Sequence, residues 1–223
     1  MSASNIQVVI VDEHPLTRLG VRAFFKECQG IEVGGEATNG KEALQVIGCA
    51  STDVVLVELM IEGRGGVELI SEICRQYPSV RCVAYTVCKE ELYAERVLRM
   101  GAMGFVMKSE PPGVLVERIR MVVGGHYGVS AAISSTLLES YVGVASKTQR
   151  KHIGVERLTN RELQIFEHIG RGQTSQEIAA SLHLSVKTVD TYRCHIRRKL
   201  GITNGNGLMH AAITYVEQIM LNP

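Results

Sequence analysis

The sequence holds no uninterrupted apolar run approaching the roughly 18 residues that a membrane-spanning helix needs. It also lacks the basic start, long apolar core and small-residue cleavage site of a signal peptide. Residues Met1 to Asn5 are short and polar and lead straight into the apolar stretch Val8–Val11. The six cysteines (Cys28, Cys49, Cys74, Cys82, Cys88 and Cys194) include no C-x-x-C pair, and the seven histidines show no metal-ligand spacing. The thiols are therefore expected to be reduced and mostly buried in a reducing compartment. No membrane partner is implied, and a cytoplasmic protein is expected.

A strong charge of one sign is missing too, but the net +1 conceals an asymmetry. Residues 1–124 carry 13 Lys+Arg against 16 Asp+Glu, and residues 125–223 carry 11 against 7. The C-terminal half, at +4, is the natural side for a polyanion partner, though an excess this small is a weak signal.

What is present in the first half is a repeat of short β-branched runs and longer amphipathic stretches. Strands are expected over Gln7–Val11, Ile31–Ala37, Val54–Val57, Val80–Tyr85 and Gly104–Met107. Helices are expected over Pro15–Cys28, Lys41–Ile47, Val67–Gln76, Glu90–Met100 and Gly113–Val123. In the first helix Leu16, Leu19, Ala23 and Phe24 form the expected inner face. Five strands alternating with five helices predict an α/β doubly wound, five-stranded parallel sheet with right-handed crossovers. The functional edge of such a sheet lies at the carboxyl ends of its strands. Those ends are Asp12-Glu13, Glu58, Thr86 and Lys108. Any one polar strand end is unremarkable; carboxylates, a hydroxyl and an ammonium together suit Mg²⁺ and a phosphoryl group.

The motifs V-D-E-H-P (Val11–Pro15), D-V-V-L-V-E-L-M (Asp53–Met60), Thr86 and G-A-M-G-F-V-M-K (Gly101–Lys108) resemble a response-regulator receiver domain. The resemblance implies a flavodoxin-like fold over residues 1–124. It further implies an acidic pair for Mg²⁺, a phospho-accepting aspartate ending the third strand, and a threonine and a lysine on the phosphoryl group. Phe105, three residues before Lys108, takes the place of the aromatic that changes rotamer on activation.

The departure from that pattern is Glu58, where the aspartate is expected, followed by I-E-G-R-G-G with Glu62 in place of proline. In-line attack needs its oxygen near 3 Å from phosphorus, and one added methylene misplaces it by about an ångström. Glutamate also carries its charge toward the phosphoryl position. The expectation is an atypical receiver, not switched by ordinary aspartyl phosphorylation. Two alternatives stand beside it: Glu58 still accepts phosphate, or Lys108 pairs with Glu58 in a purely structural site. No cofactor is required; if Mg²⁺ binds, Glu13 and Glu58 are its side-chain ligands.

Beyond Gly124-Gly125 the apolar Ile133, Leu137, Leu138 and Tyr141 predict a connecting helix, and the polar, basic stretch 143–154 a flexible linker, so that residues 125–153 join the domains. In 154–223, Thr159-x-x-Glu162 and Thr174-x-x-Glu177 are capping boxes, and Ser185 caps a basic helix that Gly201 stops. Two short helices followed by a basic one make a small all-α helix-turn-helix domain. A charge run is usually only a solvated face; its place as the second helix of this motif gives it meaning.

L-T-N-R-E (Leu158–Glu162), E-I-A (Glu177–Ala179) and L-S-V-K-T-V-D-T-Y…R-R-K-L-G (Leu184–Gly201) resemble the LuxR-type helix-turn-helix, and the whole chain resembles a NarL/FixJ-type response regulator. That implies a transcription regulator acting on double-stranded DNA as a homodimer, not an enzyme. By the resemblance Asp190, Thr191 and Cys194 face bases, and Lys187, Arg193, Arg197, Arg198 and Lys199 hold phosphates, with Thr188 among them. The last helix, with Leu208, Ala211, Ala212 and Tyr215, would give both core and dimer contact. Two other readings are a module that pairs with another regulator or sensor protein, and a Mg²⁺ phosphohydrolase.

Overall fold

The computed structural model describes residues 5–61, 65–142 and 154–220. The chain divides into two compact units, Met1–Leu138 and Glu139–Pro223. Among the described residues no helix is long and apolar enough to cross a membrane.

In the first unit, Val54–Val57 is buried throughout, as a strand covered on both faces must be. It is β3, at the centre of a parallel sheet of order β2-β1-β3-β4-β5. The other strands are β1 (Ile6–Val11), β2 (Ile31–Ala37), β4 (Arg81–Thr86) and β5 (Gly104–Met107). Five helices alternate with them: α1 (Pro15–Lys26), α2 (Gly40–Cys49), α3 (Gly66–Gln76), α4 (Glu90–Arg99) and α5 (Pro112–Val123). The doubly wound reading is thus the observed one. Register then sets the functional edge: Val11 pairs with Val57, Val57 with Ala84 and Thr86 with Met107. Asp12, Glu58, Thr86 and Lys108 therefore emerge side by side.

The inner face of α1 matches the expected one only at Phe24, which packs against the core. Val21 and Phe25 are buried, whereas Leu16 is 81% and Leu19 48% exposed, and Ala23 is exposed as well. Arg18 is the cause. It lies on the inner side, where its guanidinium donates to the Asp12 carbonyl at 2.7 Å and pairs with Glu36 at 3.2 Å. A charged residue with two partners occupies part of the stripe that the apolar pattern had assigned elsewhere.

The first unit also runs past the expected boundary at residue 124. Gly128 forms a parallel bridge with Gly104, accepting from Phe105 N–H at 2.9 Å and donating to Met103 O at 2.8 Å. A Cβ on Gly104 would come within 3.2 Å of Gly128 O, a tight contact, so residues around Gly128 lie as a strap close against β5. Val129 and Ile133 are buried against this unit, and Ser130 N–H donates to Glu90 at 3.0 Å. The connecting helix is observed as α6 (Ala131–Val142). Of the expected linker 143–154, all but Gly154 lies outside the described residues, as does Glu62 in the loop after Glu58.

In the second unit a 3-10 turn, Val155–Arg157, precedes α7 (Asn160–Gly170), α8 (Ser175–Ser181), α9 (Val186–Leu200) and α10 (Gly205–Met220). Both capping boxes are formed in full, at Thr159/Glu162 and Thr174/Glu177. Ser185 accepts from Thr188 N–H to cap α9, and Gly201 ends it in the left-handed conformation. The core is Leu163, Phe166 and Ile169 from α7, Ile178 from α8, Val189 and Ile196 from α9, and Leu208, Ala212 and Tyr215 from α10. The Phe166 and Tyr215 ring centroids are 5.5 Å apart. At Gly170 any Cβ would lie 2.3 Å from Ala212 O, so α7 and α10 touch backbone to backbone there.

Candidate functional site

Three strand-end residues of the first unit are almost wholly withdrawn from solvent: Asp12 is 1% exposed, Glu58 2% and Thr86 0%. Two buried carboxylates this close repel unless a cation joins them. Lys108 is that cation. Its Nζ lies 2.5 Å from Asp12 Oδ2 and 2.6 Å from Glu58 Oε2. Burial pulls the Lys108 ammonium down, but Glu58 and Asp12 outweigh it and hold the group above its usual value. Lys108 also stands 5.8 Å over the Tyr85 ring. Burial pushes the Tyr85 phenol up; Lys108 opposes this and the two carboxylates add to it.

The remaining acceptor positions are also in use. Glu58 Oε1 accepts from the Thr86 hydroxyl and from Met60 N–H at 3.0 Å. Asp12 Oδ1 accepts from His14 N–H at 2.8 Å, with His14 Nδ1 at 3.1 Å. Cys88 N–H donates to Thr86 Oγ1 at 3.1 Å, which aims the hydroxyl proton at Glu58. The sequence reading found Asp12, Glu58, Thr86 and Lys108, and the fold joins all four. It missed His14 and Arg18, which hold Asp12, and the Met60 and Cys88 amides, for which a sequence carries no side-chain signal. Phe105 is 1% exposed on β5.

Of the expected Mg²⁺ ligands Glu13 and Glu58, Glu58 is already engaged by Lys108, Thr86 and the Met60 amide. Mg²⁺ takes about six oxygens near 2.1 Å, whereas the Lys108 ammonium stands between the two buried carboxylates where a bridging cation would sit. Glu13 is half-buried, and among the described residues no group of three or more His, Cys, Asp or Glu is gathered to hold a metal. The arrangement does not fit Mg²⁺ as it stands.

In the second unit, Lys187, Asp190, Thr191, Cys194 and Arg198 line one open hollow along α9, together with Val186 and His195. His195 was missed, although its spacing of four from Thr191 puts it on the same face. Arg193 and Arg197 are half-buried beside this face. Thr188 is tied to the cap, its hydroxyl 2.7 Å from that of Ser185. Asp190 Oδ1 accepts from the Ser175 hydroxyl at 2.8 Å, bracing α9 against the start of α8.

Two expectations need correcting. Lys199 does not extend into the hollow; its Nζ lies 2.6 Å from Glu162 Oε2, because the capping box presents that 3%-exposed carboxylate to the end of α9. Burial alone would raise the Glu162 carboxyl, but Lys199 and Thr159 together hold it below its usual range. The supposed dimer contact is likewise spent within one chain: Leu208, Ala212 and Tyr215 are 1%, 0% and 3% exposed, and Ala211 is half-buried. Among the residues of α10 whose burial is described, the exposed large apolar ones are Met209 and Ile213.

Comparison with known proteins agrees with both halves. The model of the response regulator receiver domain matches residues 8–120, and that of the bacterial regulatory proteins, luxR family, matches residues 156–212. The chain is 34% identical over 211 residues to the response regulator GacA of Pseudomonas viridiflava, covering 94% of this chain and 96% of that protein. It is 33% identical over 210 residues to the response regulator UvrY of Escherichia coli (strain K12), covering 94% of each. A structure of RcsB from Salmonella enterica serovar Typhimurium bound to promoter P1flhDC shares the fold, with TM-score 0.68 at 23% identity over 95% of this chain and 100% of that one. A second RcsB structure, from Salmonella typhimurium, gives TM-score 0.71 at 23% identity over 97% and 98%. With a receiver domain followed by a LuxR-family domain and such relatives along nearly its whole length, the chain belongs to the response regulators of the NarL/FixJ type.

Proposed function

We propose that this response regulator is a sequence-specific transcription regulator of double-stranded DNA, dimeric on its operator, whose receiver is not switched by ordinary aspartyl phosphorylation. It acts in the cytoplasm and needs no cofactor. The observation that carries the receiver reading is the contact of Thr86 and Lys108 with the Glu58 carboxylate itself. By family resemblance those two groups belong on a phosphoryl group. The added methylene brings carboxylate oxygens to them directly, so Glu58 imitates the phosphorylated state and leaves no oxygen poised for attack.

On DNA, α9 enters the major groove as the second helix of the motif. Thr191, Cys194 and His195 then face base edges, and Asp190 can accept from cytosine N4 at some cost in phosphate repulsion. Lys187, Arg193, Arg197 and Arg198 hold phosphates. The two-fold contact is expected on the exposed face of α10, at Met209 and Ile213.

The test is capture of genomic DNA fragments by untreated protein, with and without Mg²⁺ and beryllofluoride. Sequence-selective capture that ignores the analogue supports the reading. Capture only with the analogue overturns the Glu58 argument and restores a phosphorylation switch. Pairing of the receiver with another regulator is a second reading, favoured by the exposure of Leu16 and Leu19 on α1. If partner binding suffices, Arg197→Ala with Arg198→Ala leaves function intact; if DNA contact is primary, function collapses.

A further inference from the structure

Cys74 on α3 and Cys82 on β4 bring their sulfurs to 3.8 Å across the helix–sheet interface. They are eight residues apart, a spacing that on its own suggests nothing. Cys82 is fully buried and Cys74 only half so. The Cys74 sulfur also lies 3.3 Å from the Gly101 carbonyl oxygen. Gly101 has φ +105°, and a Cβ there would come within 2.9 Å of that sulfur. The turn between α4 and β5 thus rests on Cys74 with no side chain between.

The two thiols differ electrostatically. The hydrogen bond between the two sulfurs holds the Cys74 thiol below its usual value against the opposing effect of burial. Cys82 is pushed well above its own value, by Cys74 first and then by burial. An accessible sulfur that ionises more readily, beside a buried one that keeps its proton, is the arrangement of an attacking and a resolving thiol.

We propose that Cys74 and Cys82 form a dithiol site that hydroperoxides oxidise to an intramolecular disulfide, Cys74 being the attacking sulfur and Cys82 the resolving one. With hydrogen peroxide the Cys74 thiolate attacks one oxygen, the O–O bond breaks, hydroxide leaves and a sulfenic acid forms. The Cys82 sulfur then attacks the Cys74 sulfur, its proton passes to the departing hydroxyl, the S–S bond forms and water leaves. Overall two thiols and one peroxide give one disulfide and two waters. A disulfide needs about 2.05 Å between sulfurs, so the pair closes by about 1.8 Å. That closure draws Cys74 from Gly101 and fastens α3, which follows the Glu58 loop, to β4, which ends at Thr86.

The experiment treats the full, reduced chain with a modest excess of hydrogen peroxide, quenches with N-ethylmaleimide in denaturant, and maps tryptic peptides. Peptide 65–75 carries Cys74, and peptide 82–89 carries Cys82 and Cys88. The expected product is these two peptides joined, lost again on treatment with dithiothreitol. Cys88→Ser keeps the link. Cys82→Ser abolishes it and leaves Cys74 as a dimedone-trapped sulfenic acid. Both cysteines remaining alkylated while exposed Cys194 oxidises overturns the proposal, as does Cys74 over-oxidising alone in the unaltered protein. A link that survives Cys82→Ser through Cys88 overturns it equally.

Discussion

Replacing Lys108 by methionine removes the cation of the strand-end cluster while keeping an unbranched side chain of similar bulk. Asp12 and Glu58, 1% and 2% exposed, then face each other without a counter-charge. Removing one member of a buried ion pair typically costs about 3–5 kcal/mol. Because the Lys108 side chain keeps 14% of its exposure, the lower end applies. A loss of about 3 kcal/mol, divided by a urea dependence of roughly 1–3 kcal/mol per molar, lowers the unfolding midpoint by about 1–3 M. Urea titration followed by the strand signal in circular dichroism reads this, since every described strand belongs to the first unit. The pH dependence supplies the sign. In the native protein the raised Lys108 value contributes stability fully present below the ordinary lysine value and lost only as pH rises through the raised one. Adding Glu58→Gln restores most of the loss. A penalty below about 1 kcal/mol refutes the reasoning.

Glu58→Asp withdraws the carboxylate from Thr86 and Lys108; with Mg²⁺ and acetyl phosphate it should gain a phosphoryl group by mass spectrometry while the unaltered protein does not. Glu162→Gln keeps the capping geometry but loses the charge facing Lys199, costing about 1 kcal/mol at neutral pH given the partial exposure of that lysine. Because the Glu162 carboxyl is held low, this contribution is present above the ordinary glutamate value and lost as pH falls through the folded one, so the two thermal-stability curves converge in acid. His183, at φ +53° in the turn between α8 and α9, occupies left-handed backbone that disfavours a side chain. His183→Gly should stabilise the second unit by about 0.5–1 kcal/mol in thermal unfolding. Arg198→Ala should weaken binding uniformly across DNA sequences and reduce the salt slope by about one.

Most strand ends and helix caps could be read beforehand because they depend on local chemistry. A run such as Val54–Val57 has one use, and Thr159-x-x-Glu162 closes on itself. Facing was harder to read. On α1 both Leu16/Leu19 and Val21/Phe25 obey helical spacing, and the choice between them rests on Arg18 meeting the Asp12 carbonyl and Glu36, which are distant in sequence or on the backbone. Lys199 shows the same limit: a basic residue at the end of a basic helix reads as a phosphate contact, and its ion pair with Glu162 appears only when α7 is folded against α9. The stripe of Leu208, Ala212 and Tyr215 was read as core, and within the chain it is buried. The Cys74–Cys82 approach depends wholly on how α3 lies on β4.

The strap at Gly128 gives the sheet a protected border. β5 is the last strand in the order, and an uncovered edge offers unpaired amides to any other extended chain. By taking the Phe105 amide and lying flush on Gly104, residues 126–129 close that side to strand addition. A receiver cut at residue 124 would bare this border and free the Phe105 amide to pair with another extended chain.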